Sequence, residues 1–182
     1  MELANSSARA GRDRMIRART VTDIDAVLRE HGAMLFRIAS GYTRTNAARD
    51  DLAQEMSVAV WKALTAFRGD GPLKAFVART AQFAALDHVR KRSNRFDGDA
   101  IDDSFESHDP RPDEHAGQSQ RRQHLLQAVR GLPVGQRECV LLVLEGFSNR
   151  EIAEILGMPG NTVDQRLSRA RQHLRTLLEA VK

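Results

Sequence analysis

Apolar positions recur at three- and four-residue intervals through most of this 182-residue chain, the spacing of helices that bury one face. Val27, His31, Leu35, Ile38 and Tyr42 form the first such stripe. They predict a helix over about 22–44, with Thr22 or Asp23 able to cap its first turn. Thr45-Asn46 reads as a turn. Ala48, Leu52, Met56, Ala59, Ala63 and Leu64 then predict a second helix over about 47–67. Gly69-Asp70-Gly71-Pro72 breaks the pattern. A third helix is expected over about 73–92, with Phe76, Val77, Thr80, Ala84 and Val89 facing inward, and it runs into the basic cluster Arg90, Lys91, Arg92 and Arg95.

Periodicity then stops. Residues 96–118 hold many acids and two prolines, Pro110 and Pro112, the composition of a linker. From Ser119 the helical signal returns. Leu125, Leu126, Val129 and Leu132 form one stripe, Pro133 marks a new start, and Val140, Leu141 and Leu144 precede Gly146. The expected fold class is all-α: a basic disordered arm over 1–21, a helical domain over 22–95, a flexible acidic linker over 96–118 and a second small helical domain over 119–182.

Composition supports this and narrows the partners. Hydrophobic residues make up 41% of the chain, enough for a core, while aromatics are only 5%, so strand-forming runs are scarce. The formal net charge is +4, but it is unevenly placed. Residues 96–120 carry eight acids against Arg111, a local −7, which leaves +11 on the rest. A basic body beside an acidic strip fits a polyanionic partner. The single cysteine, Cys139, lies in an apolar run and suits a core position in a reducing, cytoplasmic setting. The Arg-rich start has no apolar stretch like that of a signal peptide, and no segment approaches the roughly 20 apolar residues of a membrane span. No membrane insertion is expected.

The most specific stretch is Gly146-Phe147-Ser148-Asn149-Arg150-Glu151-Ile152-Ala153-Glu154-Ile155-Leu156-Gly157. Ser148 and Glu151 have the spacing of a capping box, in which each side chain satisfies an amide at the helix start. Gly157 stops this short helix, Pro159-Gly160-Asn161 turns the chain, and a new helix is expected from about Thr162 with Val163, Leu167, Ala170 and Leu174 inward. That is the pattern of a helix-turn-helix. On its second helix Asp164, Gln165, Ser168 and Arg169 share one outward stripe. Arg and Gln carry forked ends able to read guanine and adenine edges, while Arg166, Arg171 and Arg175 are better placed to meet phosphates.

These residues resemble a known family. Leu132-Pro133, Arg137, Gly146, Ser148, Glu151-Ile152-Ala153, Leu156-Gly157, Thr162-Val163 and Arg166-Leu167-Ser168-Arg169-Ala170-Arg171 resemble the promoter-reading fourth region of extracytoplasmic-function sigma factors. Response regulators look similar through Thr162-Val163, but the Ser168–Arg171 run leans towards sigma. In the first domain, Asp51-Leu52-Ala53-Gln54-Glu55 resembles the Asp-Leu-x-Gln-Glu signature of the family's second region, and Phe67-Arg68-Gly69-Asp70, Ala75-Phe76-Val77, Ala81, Asp87 and Arg90-Lys91-Arg92 continue the likeness. Both domains are covered, in the family's order.

The resemblance implies a sigma factor that directs promoter-specific transcription. Asp51, Gln54 and Glu55 would dock on the β′ clamp helices of core RNA polymerase, and the second domain would meet the β flap. Arg68, Asp70, Phe83, Arg90, Arg92 and Arg95 would lie at minus-ten DNA, with the Gly69–Pro72 loop holding a flipped-out base. Arg150, Thr162, Asp164, Gln165, Arg166, Ser168, Arg169 and Arg171 would lie at the minus-35 element. An anti-sigma factor is an expected partner.

Three positions depart from the family. Phe76 stands where tryptophan is usual and keeps an aromatic plug. Phe83 replaces a common asparagine near minus-ten DNA; it would either stack on an unpaired base or pack beneath the loop. Asp164 replaces a frequent basic residue, and would accept from a cytosine amine or repel wrong sites. The acidic linker reads equally as a nucleic-acid mimic inside polymerase or as a spacer.

Two other classes are weighed. A sigma-mimicking adaptor that binds an anti-sigma factor without reading DNA should have lost its DNA-facing basic residues, which remain here. An enzyme carrying a helix-turn-helix should show a catalytic or metal-ligating cluster. No Ser/His/Asp set or phosphate-binding glycine loop is present, and the six histidines are scattered, so neither an enzymatic activity nor a cofactor or metal is expected.

Overall fold

The computed structural model describes residues 23–95 and 116–179. The expected basic arm and most of the acidic linker, including its acids at 97–114, lie outside the described residues. Seven helices are described: α1 Ile24–Ser40, α2 Asn46–Leu64, α3 Leu73–Arg95, α4 Ala116–Arg130, α5 Val134–Leu144, α6 Asn149–Leu156 and α7 Gly160–Glu179. The fold is all-α.

Asp23 caps α1, its carboxylate accepting from the amides of Asp25 and Ala26 at 3.0 and 3.3 Å. Val27, His31, Leu35 and Ile38 are buried along the expected stripe. The helix stops at Ser40, where the Thr43 hydroxyl turns back to donate to the Ala39 carbonyl. Half-buried Tyr42 donates its hydroxyl to Gln82 Oε1 at 2.8 Å and so ties this end of α1 to α3. Thr45, expected only in a turn, is the N-cap of α2. Leu52, Met56, Val60 and Leu64 supply the buried face of α2. Each such side chain contributes roughly 1.5–3 kcal/mol on leaving water.

The inner face of α3 differs from expectation. Val77, Ala78, Ala81, Gln82 and Ala85 are buried, whereas Phe76, Thr80, Ala84 and Val89 are only half-buried. Three of the buried residues are alanines, which let α3 lie close against α1 and α2. Residue size therefore points to the wrong stripe. Phe76 instead packs on Phe67, with ring centroids 4.7 Å apart.

In the second half, α4 begins at Ala116, inside the stretch read as linker; Ala116-Gly117 carries no apolar period to announce it. Cys139, Leu141 and Leu142 are the buried apolar residues of α5, while Leu144, expected inside, is exposed. Burial pushes the Cys139 thiol pKa up, in line with a core role. The capping box of α6 is formed: Ser148 Oγ accepts from the Glu151 amide at 3.3 Å, and Glu151 Oε2 accepts from the Ser148 amide at 2.8 Å. Those bonds hold the Glu151 carboxyl pKa below its ordinary value. Eight residues are too few for a stable isolated helix, so this box and the burial of Ile152 and Ile155 hold α6 in place. Gly157 ends it with φ 64°, a left-handed cap that favours glycine. Helix α7 starts two residues before the expected Thr162 and buries Val163, Leu167 and Ala170.

The two helical domains pack on each other. Leu142, Phe147, Ile152 and Ile155 belong to the same buried cluster as Leu35, Ile38 and Leu52. Leu141 lies directly on Gly41, where a Cβ would fall 2.6 Å from a leucine methyl. Arg130 Nε donates to the Ser40 carbonyl at 2.9 Å across the same seam.

Candidate nucleic-acid and protein interfaces

Helix α2 projects Asp51, Gln54 and Glu55 into solvent, one turn apart. They line a groove of about 1010 Å³ between α2 and α3, with Val58, Lys62, Phe83, Asp87 and Lys91 among its other walls. Glu55 Oε2 lies 3.4 Å from His88 Nδ1 on the facing helix. The face is more apolar than the carboxylates suggest. Val58 is exposed and Trp61 is 56% exposed. Both fall on this face at intervals of four and seven residues from Gln54. That spacing was available in the sequence, but large apolar residues on a helix are read first as core.

A second surface surrounds the break between α2 and α3. Gly69 and Gly71 take φ values of 78° and 116°, which β-carbon-bearing residues rarely adopt. Their turn exposes Arg68 and Asp70. A cavity of about 340 Å³ sits beneath, lined by Phe67, Arg68, Asp70, Phe76 and Arg79 on one side and by Glu151, Glu154 and Ile155 of α6 on the other. Arg79 was not singled out from the sequence; its guanidinium lies 5.7 Å from the centre of the Phe83 ring. Phe83 is 53% exposed and lines the α2–α3 groove rather than the cavity beneath the loop. Arg90 and Arg92 are exposed further along α3, Arg90 with Asp87 at 3.5 Å. Arg95 ends the helix, and its side chain lies outside the described residues.

The third surface is the outer face of α7. Asp164, Gln165, Ser168 and Arg169 are exposed, opposite buried Val163, Leu167 and Ala170, and Arg171 is exposed beside them. Thr162 is half-buried at the start of this face. Two members of the expected set are differently engaged. Asp164 Oδ1 accepts from Asn149 Nδ2 at 2.6 Å and joins α7 to the head of α6. Arg166 turns towards α5, with Nη1 3.4 Å from the Gly135 carbonyl and 3.7 Å from buried Glu138. Burial raises the Glu138 pKa, and Arg166 acts against that rise. Arg150 on α6 is exposed and pairs with Glu154 at 3.3 Å.

No helix among the described residues is long and apolar enough to cross a membrane. No group of three or more His, Cys, Asp or Glu among them is placed to hold a metal ion.

Comparison with known proteins identifies both halves. Residues 27–95 match the model of sigma-70 region 2, and residues 122–174 match that of sigma-70 region 4. The extracytoplasmic-function RNA polymerase sigma factor SigE of Mycolicibacterium smegmatis is 29% identical over 158 residues, covering 85% of this chain and 61% of the relative. The sigma-E factor of Salmonella typhimurium is 31% identical over 132 residues, covering 67% of this chain and 69% of the relative. Among solved structures, CnrH in complex with the cytosolic domain of CnrY superposes with a TM-score of 0.65 at 25% identity, covering 93% of this chain and 99% of that one. The sigma factor RpoE of Bartonella quintana, in complex with the anti-sigma factor NepR, gives 0.71 at 26% identity, covering 88% and 99%. The chain belongs to the extracytoplasmic-function branch of the sigma-70 family of RNA polymerase sigma factors.

Proposed function

We propose that this chain joins core RNA polymerase through the α2–α3 groove and directs it to promoters read by the Gly69–Pro72 loop and by α7. One observation carries the reading. A single chain exposes Asp51, Gln54, Glu55, Val58 and Trp61 on one face of α2, and Gln165, Ser168 and Arg169 in a row on the outer face of α7. The α2 face meets the β′ clamp helices, and the second domain meets the β flap. Helix α7 enters the major groove of the minus-35 element. There Arg169 and Gln165 reach base edges, Arg171 and Arg150 take phosphates, and Thr162 and Ser168 add hydroxyl contacts.

At the minus-ten element, Arg68 and Asp70 rim the pocket for an extruded base. Arg90, Arg92 and Arg95 hold the backbone nearby. Phe83, exposed and flanked by Arg79, supplies a stacking surface for an unpaired base. Asp164 acts through its bond to Asn149, setting α7 against α6, and Arg166 anchors α7 to α5 rather than holding phosphate.

The protein works in the cytoplasm beside its polymerase and catalyses no reaction itself. An anti-sigma factor holds it until an inducing stress or envelope signal arrives, as the solved neighbour RpoE is bound by the anti-sigma factor NepR. The test is run-off transcription with purified core enzyme, on promoters found by sequencing transcripts after overexpression. Transcript that depends on the added chain is expected. A chain that captures an anti-sigma factor but yields no transcript would instead be a sigma-mimicking adaptor.

A further inference from the structure

Four arginines, two from each domain, gather where the α1–α2 turn meets the α4–α5 turn. Arg44 lies in the first of these turns and Arg49 in the first turn of α2, while Arg130 ends α4 and Arg137 lies in the first turn of α5. Arg44 is exposed and the other three are half-buried. Those three are held in place. Arg49 lies over the Phe36 ring, 4.1 Å from its centre, and donates to Asn46 Oδ1 at 2.9 Å and to Asp50 Oδ1 at 3.1 Å. Arg130 Nε donates to the Ser40 carbonyl at 2.9 Å. Arg137 sits 5.4 Å from the centre of the Tyr42 ring and donates through Nη2 to the carbonyls of Arg130 and Leu132. Its Nε is buried without a hydrogen-bond partner. Among the described residues, Arg44 makes no side-chain hydrogen bond or ion pair, and Asp50 is the one carboxylate paired with any of the four.

This arrangement works against the chain's own electrostatics. A helix start carries a partial positive charge, which disfavours a cation in the first turn. Neither α2 nor α5 has an acid in its first turn to offset Arg49 or Arg137, and no side chain caps α5. Burial, and then the like charges of Arg44, Arg49 and Arg137, lower the Arg130 pKa. Guanidiniums and helix starts of one sign repel one another, and both are groups that bind anions. Guanidinium forks fit phosphate oxygens in pairs. We propose that Arg44, Arg49, Arg130 and Arg137 form a binding site for a small anion carrying two or more phosphates. Each guanidinium has five N–H donors, and the bonds within the protein leave donors over on all four. Both domains supply part of the site, so the bound anion touches both. None of the four arginines belongs to the docking face of α2 or to the promoter-reading surfaces, so the site stands or falls without them.

Inorganic tripolyphosphate is the probe, added to the full chain at constant ionic strength. Calorimetric titration should show one saturable site, and the melting temperature should rise as it fills. Arg44→Gln removes an exposed side chain that bonds to nothing in the fold, so its effects report on the cluster. It should weaken tripolyphosphate about tenfold, the worth of one charged hydrogen-bonded contact. It should also raise the melting temperature of the anion-free chain, because it relieves repulsion. Arg29→Gln combined with Arg122→Gln removes charge from exposed positions on other elements and should leave tripolyphosphate binding unchanged. Equal weakening by that control pair, or binding indifferent to Arg44→Gln, would overturn the site. So would a lower melting temperature for anion-free Arg44→Gln, since the cluster would then be stable without a ligand. A DNA duplex of random sequence, titrated alongside, separates the two sources of clustered phosphate. Should Arg44→Gln weaken the duplex and leave tripolyphosphate untouched, the cluster is a nucleic-acid contact and the small-anion site is lost.

Discussion

Replacing Arg166 by alanine separates two roles for a residue whose position in the motif suggests phosphate contact. In the structure Arg166 is half-buried and faces Glu138, whose side chain is only 10% exposed. Removing one partner of a buried ion pair typically costs about 3–5 kcal/mol, because the remaining charge is left without compensation. Here the pair is 3.7 Å apart and the arginine side chain is 35% exposed, so water replaces part of what is lost. A cost of about 2 kcal/mol is the better expectation.

The sign of the pH dependence follows from Glu138. Burial already raises its folded pKa above the unfolded value, so the folded state disfavours the ionised form. The destabilisation is fully present above the folded pKa and disappears as pH falls towards the ordinary carboxylate value of about 4.3. Without Arg166 the folded pKa rises further. Urea unfolding should therefore show Arg166→Ala destabilised by about 2 kcal/mol at pH 7, with the deficit shrinking as pH is lowered towards 5. Glu138→Gln in the same chain should recover most of it. The salt slope of DNA binding by the holoenzyme should be unchanged. If instead stability holds at every pH and the slope falls by about one unit, Arg166 meets phosphate and the α5 anchor is incidental.

Three further outcomes test the other surfaces. Reversing Asp51 and Glu55 to lysine should abolish co-purification with core polymerase while leaving the circular dichroism spectrum unchanged, since both side chains are exposed. Phe83→Asn should weaken binding of holoenzyme to a pre-melted promoter by about 1–3 kcal/mol, the worth of one base–aromatic stack, and leave the melting temperature in place because the ring is exposed; a lower melting temperature with unchanged binding would mean the ring stabilises the fold instead. Arg169→Ala should cost about 1–3 kcal/mol on the cognate minus-35 element and relax preference at one base, whereas Arg171→Ala should weaken all sequences alike, as competition binding across single-base variants of the element would show.

What repeats along the chain was legible, and what depends on a distant neighbour was not. The stripe of α1 repeats every turn with large side chains, so it appeared correctly. The stripe of α3 is carried by Ala78, Ala81 and Ala85, whose small size is what allows close packing and also what hides them among larger residues. The capping box and Gly157 are local devices spelled out within a few residues, and they formed as read. The seam has no local spelling. Arg37, Lys74 and Glu145 look like ordinary solvated charges on helices, and only the folded chain brings them together.

The same distinction narrows the promoter code. Eight side chains of the second domain were assigned to the minus-35 element from their place in the motif. Folding engages Asp164 with Asn149 and Arg166 with Glu138, because the head of α6 and the buried face of α5 lie within reach of α7. Of the outward row, Gln165, Ser168 and Arg169 remain exposed without such a bond to another helix, and on the proposed reading they are the ones that face the groove. Gln165 and Arg169 are four residues apart, about 6 Å along the helix axis, and base pairs are stacked about 3.4 Å apart. Forked side chains separated by that distance reach base pairs no more than about two steps from each other. Strong base preference at the minus-35 element is therefore expected to concentrate in a block of about three base pairs, with flanking positions contributing through phosphate contacts that carry little sequence information. A selected pool of minus-35 sequences showing strong preference spread evenly over a full helical turn of DNA would contradict that geometry.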